Sequence, residues 1–206
     1  LRKATGSNLQ AGDPRLVLRL KMRPPYEAAL VGQFLAARAI PSVESHQRDA
    51  DVWSHTRMMR LPSRVSEVAV SVAGDHVVVR ADNDVRDTAH LVRTVRRWLD
   101  LDADTDVINT VLGRDELLAP LVKQRPGMRV PTTVDPWETL IRAVAGQQVS
   151  VAGATTVLGR LARLAHGSGT QGLHAFPSAS ELGNVDVGDI AACGMPGARA
   201  QTIATL

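Results

Sequence analysis

The sequence lacks most of the features that would indicate an extracellular, membrane-bound or metal-dependent protein. Cys193 is the only cysteine, so an internal disulfide is excluded and an intracellular compartment is favoured. No apolar run approaches the roughly 20 residues of a transmembrane helix, and the polar N-terminus does not resemble a signal peptide. The six histidines are scattered and form no metal-spaced set. We therefore expect a cytoplasmic protein with no membrane contact and no metal site.

Lysine and aromatic residues are also scarce. The chain contains 3 Lys and 21 Arg, aromatic residues make up 3% of it, and the net charge is only +3. A sequence pI near 9.6 is compatible with a nucleic-acid partner, but so small a net charge does not establish one. A chain of 206 residues has room for one large domain or two small ones, and its 44% apolar content can build a sizeable core.

The most informative stretch is 135–150, which begins as a helix. Asp135 can act as the N-cap, Pro136 fits the first helical position, and Glu138 occupies the place of a capping-box acid. A second amphipathic run starts at position 151. Between these two helices the chain places Gln147 and Gln148, two uncharged amides that can bond base edges or fill a gap in a base stack. The alternative is that both are ordinary polar residues at a helix end.

The residues before this stretch predict a separate layer of strands and helices. Alternating apolar residues predict a strand at 16–22, a helix follows at 26–40, and three more strands are predicted at 52–61, 65–73 and 76–81. Gly74-Asp75 is typical of a hairpin turn between the last two strands.

A further helix is predicted at 86–100. Its outward Arg93, Arg96 and Arg97 either contact phosphate or form a solvated face. The fold class is thus α+β: a small antiparallel-sheet layer at 16–112 after a linker or tail at 1–15. An all-α domain follows at 113–206.

Two segments carry a resemblance to a known family. Asp135-Pro-Trp-Glu with Ala145-Gly-Gln-Gln-Val-Ser resembles the entry to the catalytic domain of helix-hairpin-helix DNA glycosylases. Arg23-Pro-Pro-Tyr with Phe34-Leu-Ala-Ala-Arg-Ala resembles the N-terminal domain of the AlkA branch, the 3-methyladenine DNA glycosylase II type. The resemblance runs from about 16 to 206 and stops before the hairpin.

The resemblance implies a DNA-facing corner and a base pocket. The corner would comprise Gln147, Gln148, Val149 and Ser150, with Gln148 as the wedge that fills the space of a flipped nucleotide. Glutamine departs from the aliphatic wedge of the better-known relative. Phe34 and Arg38 would lie near the pocket, although Phe34 could equally be a plain core residue.

By resemblance, the activity is hydrolytic removal of alkylated bases such as 3-methyladenine from duplex DNA, without an organic or metal cofactor. No residue of this chain is a candidate for the catalytic aspartate, which is expected beyond Leu206 with the hairpin. The partner would be DNA containing alkylated bases, and the protein a nucleoid-associated monomer in a bacterium. The alternative is a non-catalytic DNA-binding or regulatory module on the same scaffold, such as one fused to an adaptive-response transcriptional regulator.

Overall fold

The computed structural model describes residues 16–49, 52–82, 85–167 and 171–206. The first part of the chain forms a sheet of five antiparallel strands, ordered β1-β5-β4-β3-β2. The strands are β1 (Leu16–Lys21), β2 (Glu44–Asp49), β3 (Val52–Arg60), β4 (Val65–Ala73) and β5 (His76–Ala81). The linker predicted at 1–15 lies outside the described residues.

Two helices accompany the sheet. They are α1 (Ala28–Arg38), inserted between β1 and β2, and α2 (Thr88–Trp98), which follows a short 3-10 turn at Val85–Asp87. Buried residues of both helices form one core with the sheet. The packing is close, since a Cβ on Gly32 would lie 2.5 Å from a ring carbon of Trp53. Only glycine therefore fits at position 32 of α1.

The rest of the described chain is helical. The helices are α3 (Thr105–Leu112), α4 (Ala119–Gln124), α5 (Pro136–Ala145), α6 (Val151–His166), α7 (Ala179–Gly183), α8 (Val187–Ala192) and α9 (Gly197–Thr205). The five helices from α5 through α9 share a second core, which also includes Ile40 and Val43 from the segment after α1. Gly159 of α6 packs directly against Pro41, where a Cβ would come within 3.1 Å of the ring. The segment between α1 and β2 thus ties the sheet layer to the helices.

The structure confirms the α+β class and most predicted elements, including the turn at Gly74, whose φ of +62° suits glycine. It corrects one omission. The strand β2 was not predicted because its sequence, Glu-Ser-His-Gln-Arg-Asp, has no apolar alternation. It is an edge strand, and polar residues are common at sheet edges.

The arginine run on α2 is only partly a solvated face. Arg93 and Arg97 are exposed, but Arg96 bonds Asp102 and the carbonyl of Lys21, so it serves the fold. In the described part of the chain, no helix combines the length and apolar character needed to span a membrane. Within the same ranges, no three His, Cys, Asp or Glu side chains are placed to share a metal ion.

Candidate nucleic-acid interface

The helix α5 begins as its sequence predicts, with one correction. The Asp135 carboxylate accepts the Trp137 N–H at 2.9 Å, and Pro136 occupies the first helical position. The Glu138 side chain does not return to the Asp135 N–H, which instead donates to the Thr133 hydroxyl at 3.0 Å. The capping-box role predicted for Glu138 is therefore wrong, and its carboxylate is free to act elsewhere.

The predicted corner lies between α5 and α6. Gln147, Gln148, Val149 and Ser150 are all exposed, and Ser150 caps α6 by accepting the Gly153 N–H at 3.1 Å. Gln148 has a φ of +60°, a left-handed conformation that L-residues rarely adopt. A non-glycine residue held in this region is a reason to suspect a functional role. The structure thus presents the four residues together on the surface.

Phe34 and Arg38 lie together on α1, away from the corner. The Arg38 guanidinium carbon sits 3.9 Å from the centroid of the Phe34 ring, in a cation–π contact. Phe34 is partly buried and packs on the core of the sheet layer, so the core interpretation holds in part.

Both side chains border a cavity of about 410 Å³ between the sheet layer and α5. The other lining residues are Leu35, Glu44, Arg57, Trp98, Pro131, Thr132, Thr133, Val134, Glu138, Thr139 and Arg142. None of the four corner residues lines this cavity. The cavity meets α5 at residues 138, 139 and 142, and the corner follows the last turn of the same helix.

Four charged side chains line the cavity. Glu44, Arg57 and Glu138 are buried, and the Arg142 side chain is 25% exposed. Arg57 donates to Glu44 at 2.6 Å and to Glu138 at 2.5 Å. Arg142 donates to Glu44 at 2.8 Å and to Glu138 at 2.7 Å. We call these four residues the charge cluster. It contains two acids and two bases, so its formal charge is zero.

The ionised form of Glu44 is favoured within the cluster. Burial alone would raise the pKa of this carboxyl group, but the charge of Arg57, the nearby His55 ring and the charge of Arg142 hold the pKa well below its usual range. Glu44 therefore carries a negative charge within the charge cluster.

Sequence reasoning missed Glu44 and Arg57, although a signal for Arg57 was present. Every second side chain of β3 points inward, namely Trp53, His55, Arg57 and Met59. Because Trp53 is expected to be buried, the alternation places Arg57 on the buried face of the strand. A charged residue on that face indicates a buried partner of opposite charge. The sequence gives no such signal for Glu44, because β2 has no alternating apolar residues that would show which of its side chains point inward.

Another arginine, Arg129, stabilises the segment that connects the sheet layer to α5. Arg129 is 5% exposed and donates to the carbonyls of Asp100, Ala103, Pro25 and Arg23. The Gly127 carbonyl nearby accepts the Glu27 N–H at 2.9 Å. These bonds hold the 125–131 segment against residues 23–27 and 100–103.

We expect Arg129→Met to lower the free energy of unfolding by about 2–3 kcal/mol, because four backbone carbonyls lose their bonds to a buried charged donor. Urea denaturation followed by circular dichroism measures the change. Arg125→Met is the matched control, since Arg125 lies in the same segment but is exposed. Equal losses in the two variants would show that the Arg129 bonds add nothing to stability.

Comparison with known proteins adds evidence for the family. A family model described as the AlkA N-terminal domain matches residues 17–135. The "Probable bifunctional transcriptional activator/DNA repair enzyme AlkA" of Mycobacterium tuberculosis is 39% identical over 194 residues, which cover 92% of this chain and 38% of the relative. The "DNA-3-methyladenine glycosylase 2" of Escherichia coli is 30% identical over 192 residues, covering 89% and 64%. The chain therefore spans less than two thirds of these curated relatives.

Solved structures share the fold at low sequence identity. The 3-methyladenine DNA glycosylase from Archaeoglobus fulgidus superposes with a TM-score of 0.74 at 18% identity, covering 92% of this chain and 65% of that one. A DNA complex of the Clostridium acetobutylicum 8-oxoguanine glycosylase/lyase gives a TM-score of 0.62 at 17% identity, covering 92% and 62%. These similarities establish the architecture, and both of the matched proteins are named as glycosylases.

Proposed function

We propose, from the premise that this chain belongs to the AlkA N-terminal domain family, that it is part of a DNA glycosylase that removes alkylated bases such as 3-methyladenine. The observation that carries the proposal is the exposed corner with Gln148 in a left-handed conformation. An uncharged side chain at a helical corner can enter a base stack without repelling phosphate.

The proposed reaction is hydrolysis. The N-glycosidic bond of a flipped nucleotide breaks, and its electron pair leaves with the cationic alkylated base, which departs neutral. A water molecule adds through oxygen to the sugar C1′ and gives up a proton. Flipping costs a few kcal/mol of unstacking, and the inserted Gln148 side chain would offset part of that cost. Phe34 and Arg38 would border the space that receives the base. The chemistry needs no cofactor, and we place it on chromosomal DNA in the cytoplasm of a bacterium.

We expect Gln148→Ala to weaken binding to a duplex with a tetrahydrofuran abasic site by about tenfold, because the gap then lacks its filler. Binding to the matched intact duplex should change little. The variant is made in the protein that continues beyond Leu206, and fluorescence anisotropy measures both affinities. Gln124→Ala, an exposed glutamine on α4, is the control. Equal losses on the two duplexes would show that Gln148 contacts only the backbone of DNA.

A regulatory role is a second candidate, favoured by one observation. The relative from Mycobacterium tuberculosis is named a bifunctional transcriptional activator and repair enzyme, and the chain spans 38% of it. In such a fusion this chain could serve as a DNA-binding module without catalysis. That role predicts sequence-dependent affinity for intact duplex and no preference for the abasic site, which the same anisotropy titration measures.

A further inference from the structure

Arg142 connects three elements through one guanidinium group. Its Nη1 donates to the Arg38 carbonyl at 2.8 Å, its Nη2 donates to Glu44 of β2, and its Nε donates to Glu138 of α5 at 2.8 Å. The Arg38 carbonyl belongs to the last turn of α1 and has no partner further along that helix. Arg142 therefore caps α1 from another helix.

Glu44 fixes the same end of α1 from the sheet. Its Oε2 accepts the Ile40 N–H at 2.8 Å, so the backbone on both sides of the α1 terminus is bonded to the charge cluster. Glu44 and Glu138 side chains are no more than 5% exposed, which protects these bonds from competition by water. The relative position of α1 and α5 is therefore set by directional bonds as well as by apolar packing.

The two ends of this connection carry the two groups of candidate site residues. Arg38 and Phe34 lie on the last turns of α1, beside the cavity. Arg142 lies on the last turn of α5, and the corner with Gln148 begins five residues later, after Gly146. A rotation of α5 against α1 would move the corner relative to the cavity.

We infer that Arg142 is a positioning residue that holds the DNA-facing corner and the base cavity at a fixed separation, so that a nucleotide flipped at one is received at the other. This inference rests on the proposed function for its consequence, although the coupling of α1 to α5 can be measured without DNA. Buried ion pairs are weak evidence for stability, because apolar replacements are often tolerated. Their directional geometry suits a positioning role better.

The test uses a double variant that is designed to fold. Arg142→Met alone would leave the cluster with a net negative charge, but Arg142→Met with Glu138→Gln leaves the balanced pair of Glu44 and Arg57. Arg142→Lys is the second variant, since it keeps the charge but cannot reach three partners in the arginine geometry. Arg64→Met is the matched control, because Arg64 pairs with Asp82 on the surface.

Spin labels at Ala37→Cys on α1 and Ala143→Cys on α5, both exposed, report the separation of the helices in a Cys193→Ser background. We expect a narrow distance distribution for the parent and the Arg64→Met control, and a clearly broader one for both Arg142 variants. The preference for abasic over intact duplex should fall by about tenfold, since misplacement of about 1 Å can cost that much or more. Affinity for intact duplex should stay at the parent value.

The outcomes separate this inference from the proposed function. An unchanged distance distribution in the folded double variant would overturn the positioning role, whatever happens to DNA binding. Broadening without loss of abasic preference would also overturn it. A third outcome combines two results: the Arg142 variants broaden the distance distribution, but Gln148→Ala retains the full preference for abasic duplex. That outcome would support the coupling of the helices and count against the proposed function.

Discussion

Replacing Arg57 with Met is expected to lower the free energy of unfolding by about 3–5 kcal/mol, because it leaves two buried carboxylates with only one positive partner. Arg57 is 3% exposed and donates to both Glu44 and Glu138. After the substitution, two negative charges share the single positive charge of Arg142. Burying an uncompensated charge costs far more than losing an exposed ion pair. Urea denaturation of the 206-residue chain measures the loss.

Two further variants make the Arg57 result specific. Arg64→Met removes an exposed ion pair with Asp82 and should cost no more than about 1 kcal/mol. Adding Glu138→Gln to Arg57→Met removes the excess negative charge, so it should recover a large part of the lost stability. If Arg57→Met costs no more than Arg64→Met, the charge cluster is not ionised as its geometry indicates.

The apolar framework of this chain could be predicted from sequence because it follows local periodicity. Buried residues alternate along β3 and most of β4, and β5 contains a run of three valines. The helices α5 and α6 begin at capping residues, Asp135 and Ser150, that are recognisable in the sequence. Each of these signals lies within one element, so a single sequence contains it in full. The α+β class follows from the order of the elements.

The charge cluster could not be predicted in the same way, because it joins distant parts of the chain. Arg57 and Glu138 are 81 residues apart, and Arg142 lies 98 residues from Glu44. Position 138 also fits a local pattern, the capping box, and that pattern gave the wrong partner for its carboxylate. Rules based on neighbouring residues give the wrong partner for a side chain when a stronger partner lies far away in the sequence.

The corner illustrates an intermediate case. The position of Gln147 and Gln148 between two helices is visible in sequence, but the left-handed conformation of Gln148 is not. Glycine would be expected at such a φ, and Gly146 stands only two residues earlier. The structure therefore adds an observation that the resemblance alone does not contain. The role of the corner in DNA binding stays a prediction.

A polypeptide that ends at Leu206 is expected to release no 3-methyladenine from alkylated DNA, whereas a protein that continues as its longer relatives do should release it. The reason lies in the carboxylates that face the cavity. Glu44 and Glu138 are each bonded to Arg57 and Arg142, so their charge is already neutralised. They cannot stabilise a developing sugar cation as an unpaired carboxylate would.

Two further acids, Asp135 and Asp186, have local roles as helix caps. Asp135 caps α5 and Asp186 caps α8, through bonds to backbone N–H groups. We therefore propose that the catalytic aspartate lies beyond Leu206, and that its loss removes an interaction made mainly in the transition state.

Chromatography of bases released from methylated DNA distinguishes the two polypeptides. A control for folding is needed, and circular dichroism should show the 206-residue chain with the helices and sheet described above. The longer protein with Glu138→Gln provides a second control: because Glu138 has no catalytic role in this proposal, the variant should retain measurable excision. Robust release by the folded 206-residue chain would instead place the catalytic centre within it, with Glu44 and Glu138 as the first candidates.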